Sequence, residues 1–255
     1  MLEPCCYKDT LEVGLDEAGR GPLFGRVYVA AAILPPDKSF DHQLIKDSKK
    51  LSERKRLIAF DYIKDYAIDY AVHYKDEKYI DEHNIFAATY NAMHEVLGKL
   101  LVKPEHILVD GNYFKPYMHT DGEYISHTTI VGGDNQYTSI AAASILAKVS
   151  RDKYIEKLCD EYPLLDQFYN IRSNKGYGAL KHINGIKRHS SSPWHRKTFG
   201  ICKSLQHACK YPECFYKVAW LKNTKGEIAN YDEFLKYDEF LDQEYLEFLC
   251  EETRL

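Results

Sequence analysis

The sequence predicts an α/β domain in which helices flank a mixed sheet of five strands, followed by a helical C-terminal appendage. Short apolar or alternating segments, typical of strands, are interspersed with longer segments of helical spacing as far as residue 162. From residue 163 onward the patterns are helical or loop-like. A chain of 255 residues buries a large core on folding, so this fold requires no disulfide framework.

The first three predicted strands form an antiparallel meander. They are LEVGLDEAG at 11–19, RVYVAAAIL at 26–34 and AIDYAVHY at 67–74. The turn GRGPLFG joins the first two strands, because glycine adopts backbone angles that other residues avoid and proline fixes one of them. A helix begins at the capping residue Ser52 and separates the second strand from the third.

Helices and strands alternate in the next part of the chain. The predicted elements are an amphipathic helix from Asn84 that ends near Pro104, strands at 106–111 and 124–131, and an alanine-rich helix at 138–162. No long Gly/Ser linker marks a domain boundary. We therefore predict one domain over 1–205 and an acidic helical extension over 206–255.

Cysteine usage and the N-terminal sequence indicate the compartment. The seven cysteines are odd in number and irregularly spaced, which favours neither a disulfide framework nor a zinc site. The N-terminus lacks a basic start followed by an apolar run, and no stretch approaches the ~18 apolar residues of a membrane helix. We expect a soluble cytoplasmic protein with reduced thiols.

Charge is segregated along the chain although the net charge is only −4. Residues 171–203 contain three histidines, no acid and eight basic residues, namely Arg172, Lys175, Lys181, Lys187, Arg188, Arg196, Lys197 and Lys203. Residues 227–255 contain ten acids against Lys236 and Arg254. A charged run alone is most simply a solvated face, but the acidic tail hides a local basic surface in the average.

Four carboxylates stand at predicted strand ends. Asp16 and Glu17 close the first strand, Asp110 ends the strand at 106–111, and Asp134 follows the last strand. Converging acids repel one another unless cations neutralise them, and oxygen ligands suit Mg²⁺ or Mn²⁺. Because successive strand residues point to opposite faces, Asp16 and Glu17 serve one site only if the strand ends or bends between them. An isolated strand-end aspartate more often caps a turn, so spacing alone leaves both interpretations open.

Six motifs occur in one order along the chain. They are GLDEAGRGPLFG at 14–25, DSKKLSERKR at 47–56, LVDG at 108–111, SIAAASILAKVSRD at 139–152, NKGYG at 174–178 and HRKTF at 195–199. Together, over roughly residues 10–205, they resemble the type 2 ribonuclease H family. The resemblance implies an RNase H-like fold with a five-stranded mixed sheet. It also implies that the domain over 1–205 is catalytic and cleaves RNA that is hybridised to DNA or embedded in it.

The family's four metal-binding catalytic acids fall on residues that are intact here, namely Asp16, Glu17, Asp110 and Asp134. The resemblance thus implies a two-metal site for Mg²⁺ or Mn²⁺, with an activated water that attacks phosphorus. The expected cut lies 5′ to a ribonucleotide and leaves a 3′-hydroxyl and a 5′-phosphate.

The resemblance also implies contacts with the sugar at the cut. Gly19, Arg20 and Gly21 would present backbone groups and a guanidinium to the sugar-phosphate, and a glycine there permits close approach to a ribose 2′-hydroxyl. Tyr177 would stack on or bond near the same ribose. The chain has 21 tyrosines, most of which pack in the fold, so only its place in the motif distinguishes Tyr177.

Phosphate contacts are implied at two further places. Ser48 and Lys49 would reach phosphates as positioning contacts, although a solvated helix start capped by Ser52 explains the same segment. In the basic run, Arg196 would contact the duplex, and His195 would act as scaffold and not as a catalytic base.

Around the fourth acid the chain departs from the family pattern. Where the family has a Lys-Gly-Asp-x-Lys-Ser run, this chain reads GGDNQY at 132–137, so two lysines and a serine are absent. The local phosphate contacts would then be weaker, or Arg151 or Lys148 would supply them instead.

Two other classes of protein remain open. A type 3 ribonuclease H is disfavoured, because only about ten residues precede the first strand and the turn reads GRG. A non-catalytic nucleic-acid-binding module is the second alternative, and the retention of all four acids speaks against it.

The acidic tail carries a separate motif. The segment YDEFLKYDEFLDQEYLEFLCEE predicts an amphipathic helix, and the favoured interpretation is that its apolar face packs on the catalytic domain. Alternatively, Gln243, Leu246 and Phe248 match the Q-x-x-L-x-F peptide by which DNA-processing proteins dock on a bacterial sliding clamp. Burial of Leu246 and Phe248 in a regular helix would exclude docking.

Overall fold

The structure is a computed structural model that describes residues 2–48, 50–205 and 215. The strands of this part are β1 (Glu12–Ala18), β2 (Val27–Ile33), β3 (Asp69–Lys75), β4 (His106–Asp110), β5 (Tyr117–Met118) and β6 (Tyr124–Ile130). The helices are α1 (Glu53–Tyr66), α2 (Glu77–Leu97), α3 (Thr138–Glu161), α4 (Leu164–Tyr169), α5 (Ile171–Asn174), α6 (Leu180–His189) and α7 (Gly200–Leu205). Lys49 and the tail motif of Gln243, Leu246 and Phe248 lie outside the described residues, as does the extension predicted over 206–255 apart from Phe215.

One mixed sheet, in the order β3-β2-β1-β4-β6-β5, organises the domain. The predicted meander is confirmed, because β1, β2 and β3 pair antiparallel, whereas β1 pairs parallel with β4 and β4 with β6. The two-residue strand β5 pairs with β6 and adds a sixth strand, which is too short to show any periodicity in the sequence. Parallel pairing brings the carboxyl ends of β1, β4 and β6 to one edge, where α/β folds assemble their sites.

Helices cover both faces of the sheet. The helices α1 and α3 pack on one face, against Ala30 and Ala32 of β2, and α2 packs on the other, against Val29, Ala31 and Ile33. Because β2 is covered on both faces, its sequence is apolar throughout and does not alternate.

The helix predicted from Asn84 is the second part of a longer, kinked helix. Helix α2 begins at Glu77, where the Asp76 side chain accepts a hydrogen bond from the Tyr79 N–H at 2.8 Å. At Asn84 the backbone has a φ of +64°, and its side chain caps the next turn by accepting from the Ala87 N–H at 3.1 Å. The sequence pattern therefore marked a real cap, but inside the helix.

The N-terminal segment adds a contact that the sequence did not predict. The Glu3 N–H donates to the Gln136 carbonyl at 2.8 Å, and the Thr138 N–H donates to the Glu3 carbonyl at 3.0 Å. These bonds tie the start of the chain to the turn that carries Asp134.

The helices after residue 163 form a third apolar cluster together with Phe24 and Phe215. Phe215 is fully buried there, against Tyr169 and Trp194. This cluster holds the basic region beside the turn that follows β1. No helix in the described part of the chain is long and apolar enough to span a membrane.

Candidate active site

Acids from three segments meet at the carboxyl edge of the sheet. Leu15 of β1 lies opposite Val109 of β4 in the parallel register, so the residues that follow them, Asp16 and Asp110, are neighbours at this edge. Asp110 in turn pairs with Ile130, the last residue of β6 before the turn that carries Asp134. The strand ends thus gather the four acids that the sequence singled out.

Of the two acids on strand β1, Asp16 is the more buried, with 5% of its surface exposed. Burial raises the pKa of the Asp16 carboxyl well above its usual range, and the neighbouring charges of Glu17 and Asp110 raise it further. The Ser144 hydroxyl of α3 and the Glu17 N–H, at 2.7 Å, donate to Asp16 and oppose this rise. The site therefore has an excess of negative charge that a cation would neutralise.

The strand neither ends nor bends between Asp16 and Glu17, which was the condition under which alternate strand residues would serve one site. Strand β1 continues to Ala18, and Glu17 remains paired with Val29 of β2. Asp16 consequently faces α3, whereas Glu17 faces the α2 side, where the Arg20 guanidinium contacts its carboxylate at 3.2 Å. The two carboxylates nevertheless lie close enough to interact, because the charge of Glu17 raises the pKa of Asp16.

The fourth acid, Asp134, lies in a single 3-10 turn between β6 and α3 and is 4% exposed. The preceding Gly133 N–H donates to Asp110 Oδ1 at 2.7 Å, and the Asn135 amide donates to Asp134 Oδ1 at 3.1 Å. A Cβ on Gly133 would lie 2.6 Å from the Cδ1 of Ile140, so any other residue would displace the end of that side chain. The turn therefore links Asp134 to Asp110.

The donor chemistry of this edge fits a hard divalent cation. All four acids offer carboxylate oxygens, which Mg²⁺ and Mn²⁺ prefer. Among the described residues, no three His, Cys, Asp or Glu side chains already converge as a preformed metal cluster. The acids are instead held by their own neighbours, namely Ser144, Arg20, Gly133 and Asn135.

Arg196 shapes the turn after β1 from beneath and does not lie on the surface. Its guanidinium is fully buried and donates to four carbonyl oxygens. These belong to Gly19 at 2.6 Å, Arg20 at 2.9 Å, Pro22 at 2.9 Å and Gly25 at 2.8 Å. Burial lowers the pKa of Arg196 to about 9, and the charge of Arg151 contributes to this shift. The predicted contact between Arg196 and the duplex is therefore wrong, because the whole guanidinium faces the protein backbone.

A second buried arginine, Arg151 of α3, supports the same turn. It donates to the carbonyl oxygens of Arg26 at 3.2 Å, Phe24 at 3.1 Å and Lys175 at 2.9 Å. Lys148, the other candidate for local phosphate contacts, pairs with Asp152 at 2.7 Å. The prediction that Arg151 supplies a phosphate contact is wrong, since only 1% of it is exposed.

The two glycines of GRG have different environments. Gly19 has a φ of +95°, and a Cβ there would lie 2.2 Å from the Arg151 Nε. At Gly21 the nearest atom to an added Cβ is Tyr177 Cε1, at 3.8 Å. The missing side chain at Gly19 therefore leaves room for Arg151 under the turn. Gly21 lies at an open surface beside the half-exposed Tyr177 ring.

Two buried histidines fix the backbone at Tyr177. The Ser192 N–H donates to His195 Nδ1 at 2.9 Å, so His195 carries its proton on Nε2 and donates to His182 Nε2 at 2.9 Å. His182 Nδ1 then donates to the Tyr177 carbonyl at 2.8 Å. Burial lowers the pKa of both imidazoles. His195 is thus placed as a scaffold residue, consistent with the sequence-based interpretation.

Ser48 lies beneath the site and not at its surface. It is 3% exposed, and its hydroxyl bonds to the Ser144 hydroxyl at 3.0 Å. The predicted phosphate contact of Ser48 is wrong for this reason. Ser48 instead supports Ser144, a residue that the sequence analysis did not single out although it stands in the alanine-rich motif.

The basic run is only partly available to a ligand. Arg172 pairs with Asp160 at 2.6 Å, Lys175 pairs with Glu156 at 2.8 Å, and Arg196 is buried. Exposed lysines of this region are Lys181, Lys187, Lys197 and Lys203. The basic surface is therefore carried by α6, by α7 and by the segment between them.

Gln136 and Tyr137, which depart from the family pattern, make contacts within the protein. The Gln136 amide donates to the Val131 carbonyl at 3.1 Å. A hydrogen bond with Cys6, together with burial, raises the pKa of Tyr137 to about 12. These side chains anchor the turn of Asp134 internally.

Comparisons with known proteins agree on one family. A family model described as Ribonuclease HII matches residues 13–202, which include all four acids. The Ribonuclease HII of Phocaeicola vulgatus is 46% identical over 201 residues, which cover 79% of this chain and 94% of that protein. The Ribonuclease HII of Endomicrobium trichonymphae is 47% identical over 186 residues, covering 73% and 83% respectively. The crystal structure of the ribonuclease H2 from Pyrococcus horikoshii matches with a TM-score of 0.62 and 27% identity, over 81% of this chain and 99% of that one.

Proposed function

Because the chain belongs to the ribonuclease HII family and is thus a nuclease, we propose that it cuts RNA 5′ to a ribonucleotide within an RNA/DNA hybrid or duplex DNA. The observation that carries this proposal is the position of Asp16, Glu17 and Asp110 as interacting neighbours at one sheet edge, with Asp134 in the adjoining turn. The GRG turn and Tyr177 lie beside this edge.

Ribonucleases H depend on divalent metal ions, and we propose that the four acids hold two Mg²⁺ or Mn²⁺ ions. Ions bound there supply an activated water and charge stabilisation at the leaving 3′ oxygen, which yields a 3′-hydroxyl and a 5′-phosphate. Ser144 orients the Asp16 carboxylate for this task and opposes the rise in its pKa, because its hydroxyl donates to that carboxylate. The Gly133 N–H orients the Asp110 carboxylate in the same way.

Recognition of the ribose is assigned to Gly19, Arg20, Gly21 and Tyr177. The absence of a side chain at Gly21 leaves space beside the Tyr177 ring, where a ribose and its 2′-hydroxyl fit. Gly19 contributes through the shape of the turn, and Arg20 is partly exposed beside Glu17. Exposed lysines of α6 and α7 supply phosphate contacts that position the duplex without reading its sequence. Lys49 remains a proposed phosphate contact.

The test is cleavage mapping on a DNA duplex with one embedded ribonucleotide and on a long RNA/DNA hybrid, with Mg²⁺ or Mn²⁺. We expect a single cut 5′ to the ribonucleotide, and no cleavage by Asp16→Asn or Asp110→Asn. The exposed Asp61 of α1 provides the matched control, since Asp61→Asn should cleave like the wild type. Wild-type turnover by Asp16→Asn would contradict the assignment of Asp16 to metal binding. Binding of the duplex by the wild type without any cleavage would favour a non-catalytic nucleic-acid-binding module.

The acidic tail gives two proposals that exclude each other, both outside the described residues. The favoured one is a helix that packs on the catalytic domain, and the other is docking of Gln243, Leu246 and Phe248 on a sliding clamp. A pull-down with a bacterial sliding clamp distinguishes them. Retention by the wild type and loss by Gln243→Ala supports docking, and no retention by either supports packing on the domain.

A further inference from the structure

Three aromatic residues, which we call the aromatic shelf, lie beside the acids on the α2 side of the sheet. The shelf consists of Phe86 and Tyr90 of α2 and of Tyr113, which follows β4. Phe86 is 56% exposed and Tyr113 is 49% exposed, whereas Tyr90 is buried between them at 8%. Two large aromatic surfaces therefore face solvent at the edge of the site.

The shelf is continuous with the active site. The guanidinium carbon of Arg20 lies 4.9 Å from the centre of the Phe86 ring, while Arg20 also contacts Glu17. The ring centres of Phe86 and Tyr90 are 5.9 Å apart, and those of Tyr90 and Tyr113 are 5.2 Å apart in an edge-to-face arrangement. Ring contacts therefore connect Arg20, through the buried Tyr90, to the loop that begins just after Asp110.

The fold itself does not explain the exposure of these rings. The core-facing residues of α2 are its buried set, Ile80, Ala88, Thr89, Tyr90, Ala92, Met93, Val96 and Leu97, and Phe86 is not among them. The kink at Asn84 begins a new helical segment, and Phe86 stands in its first turn, outside the core. Leaving apolar surface of this size in water forgoes burial energy, so a contact with a ligand is the simpler account.

We propose that the aromatic shelf binds the sugars and exposed base edges of the substrate duplex next to the scissile phosphate. This inference rests on the proposed function, because it extends the same substrate surface. A duplex that contains RNA presents a wide, shallow minor groove lined by sugars, and flat aromatic faces contact sugars and bases without reading sequence. The shelf thus complements the lysines of α6 and α7, which contact phosphates.

The experiment measures binding of an RNA/DNA hybrid with Ca²⁺ in place of Mg²⁺, over a series of salt concentrations. Phe86→Ala and Tyr113→Ala should each weaken binding by about fivefold or more, with Phe86→Leu intermediate. The slope of log K against log salt should stay at the wild-type value, because no phosphate contact is lost, whereas Lys181→Ala should make it shallower. In cleavage assays KM should rise while kcat stays constant.

Tyr124→Ala is the matched control, because Tyr124 is 71% exposed at the opposite end of β6 from Asp134. It should bind the hybrid like the wild type. An alternative role for Phe86, orienting Arg20 only, predicts that Phe86→Ala has no further effect in an Arg20→Ala background. That result, or wild-type binding by Tyr113→Ala, would overturn the shelf. If the wild type itself cleaved neither the hybrid nor a duplex with one embedded ribonucleotide, the proposed function would fall, and the shelf with it.

Discussion

Arg196 Nη2 lies 2.6 Å from the carbonyl oxygen of Gly19, 177 positions earlier in the chain. A lysine at position 196 would place one ammonium where a planar fork now reaches four carbonyls, so some of these would remain buried and unpaired. We expect Arg196→Lys to lower the free energy of unfolding by about 2–4 kcal/mol. Urea denaturation measures this loss, with the half-exposed Arg172→Lys, at a surface ion pair with Asp160, as control. Equal stability of the two variants would contradict the assigned role.

The glycines of GRG should respond differently to the same substitution. In Gly19→Ala the new Cβ meets Arg151 and the backbone requires a positive φ, so we expect a loss of about 1–3 kcal/mol in stability. In Gly21→Ala the methyl group enters open space beside Tyr177, so stability should change by less than about 0.5 kcal/mol. Cleavage at an embedded ribonucleotide should nevertheless fall in Gly21→Ala. A well-folded Gly21→Ala with wild-type cleavage would show that this surface does not approach the ribose.

Ser144 and Ser139 form a matched pair on α3. The Ser144 hydroxyl donates to Asp16, whereas the buried Ser139 hydroxyl has no hydrogen-bond partner in the part of the chain that the structure describes. Ser144→Ala should raise the Mg²⁺ concentration needed for half-maximal cleavage by about tenfold, as expected when a group that orients a ligand is lost. Ser139→Ala should leave the metal dependence unchanged. If cleavage by the two variants depended on Mg²⁺ concentration in the same way, Ser144 would have no role in metal binding.

The buried pair of His182 and His195 predicts a dependence of stability on pH. Both imidazoles have a lowered pKa in the folded protein, so below about pH 6.5 the unfolded chain binds protons that the folded chain excludes. Their contribution is therefore complete above that pH and is lost as the pH falls. Urea unfolding at pH 7.5, 6.5 and 5.5 should give a shallower decline for His195→Gln than for the wild type. The exposed His83→Gln should follow the wild type, and parallel curves for all three proteins would contradict the assignment.

Periodicity predicted the elements that contribute whole faces to a core, and it failed where an element is short or bent. The strands β1 to β3 and the helices α1 and α3 show apolar spacing over many residues, and their bounds agree with the prediction. Strand β5 has two residues, and the first part of α2 is rich in charged residues and lies before a kink. Neither leaves a repeating apolar pattern from which it can be predicted.

The motifs identified residues of the site, but they did not show which of these residues are buried and which are exposed. Asp16, Glu17 and Asp110 were placed at strand ends by the sequence, and parallel pairing brings them together. Ser48 and Arg196 carry polar groups typical of phosphate contacts, yet both are buried and bond to other parts of the protein. Their depth depends on contacts with residues about one hundred or more positions away, which no local pattern records.

The contacts of Arg196 also determine which polar groups the GRG turn presents to the outside. Its peptide units are trans, and in a trans unit the N–H points opposite to the C=O. Since the carbonyls of Gly19 and Arg20 point inward to the guanidinium, the N–H groups of Arg20 and Gly21 in the same units point outward. The outer side of the turn therefore offers donors and withholds acceptors. Arg196, buried beneath the turn, thereby determines which hydrogen-bonding groups the turn presents to a ligand.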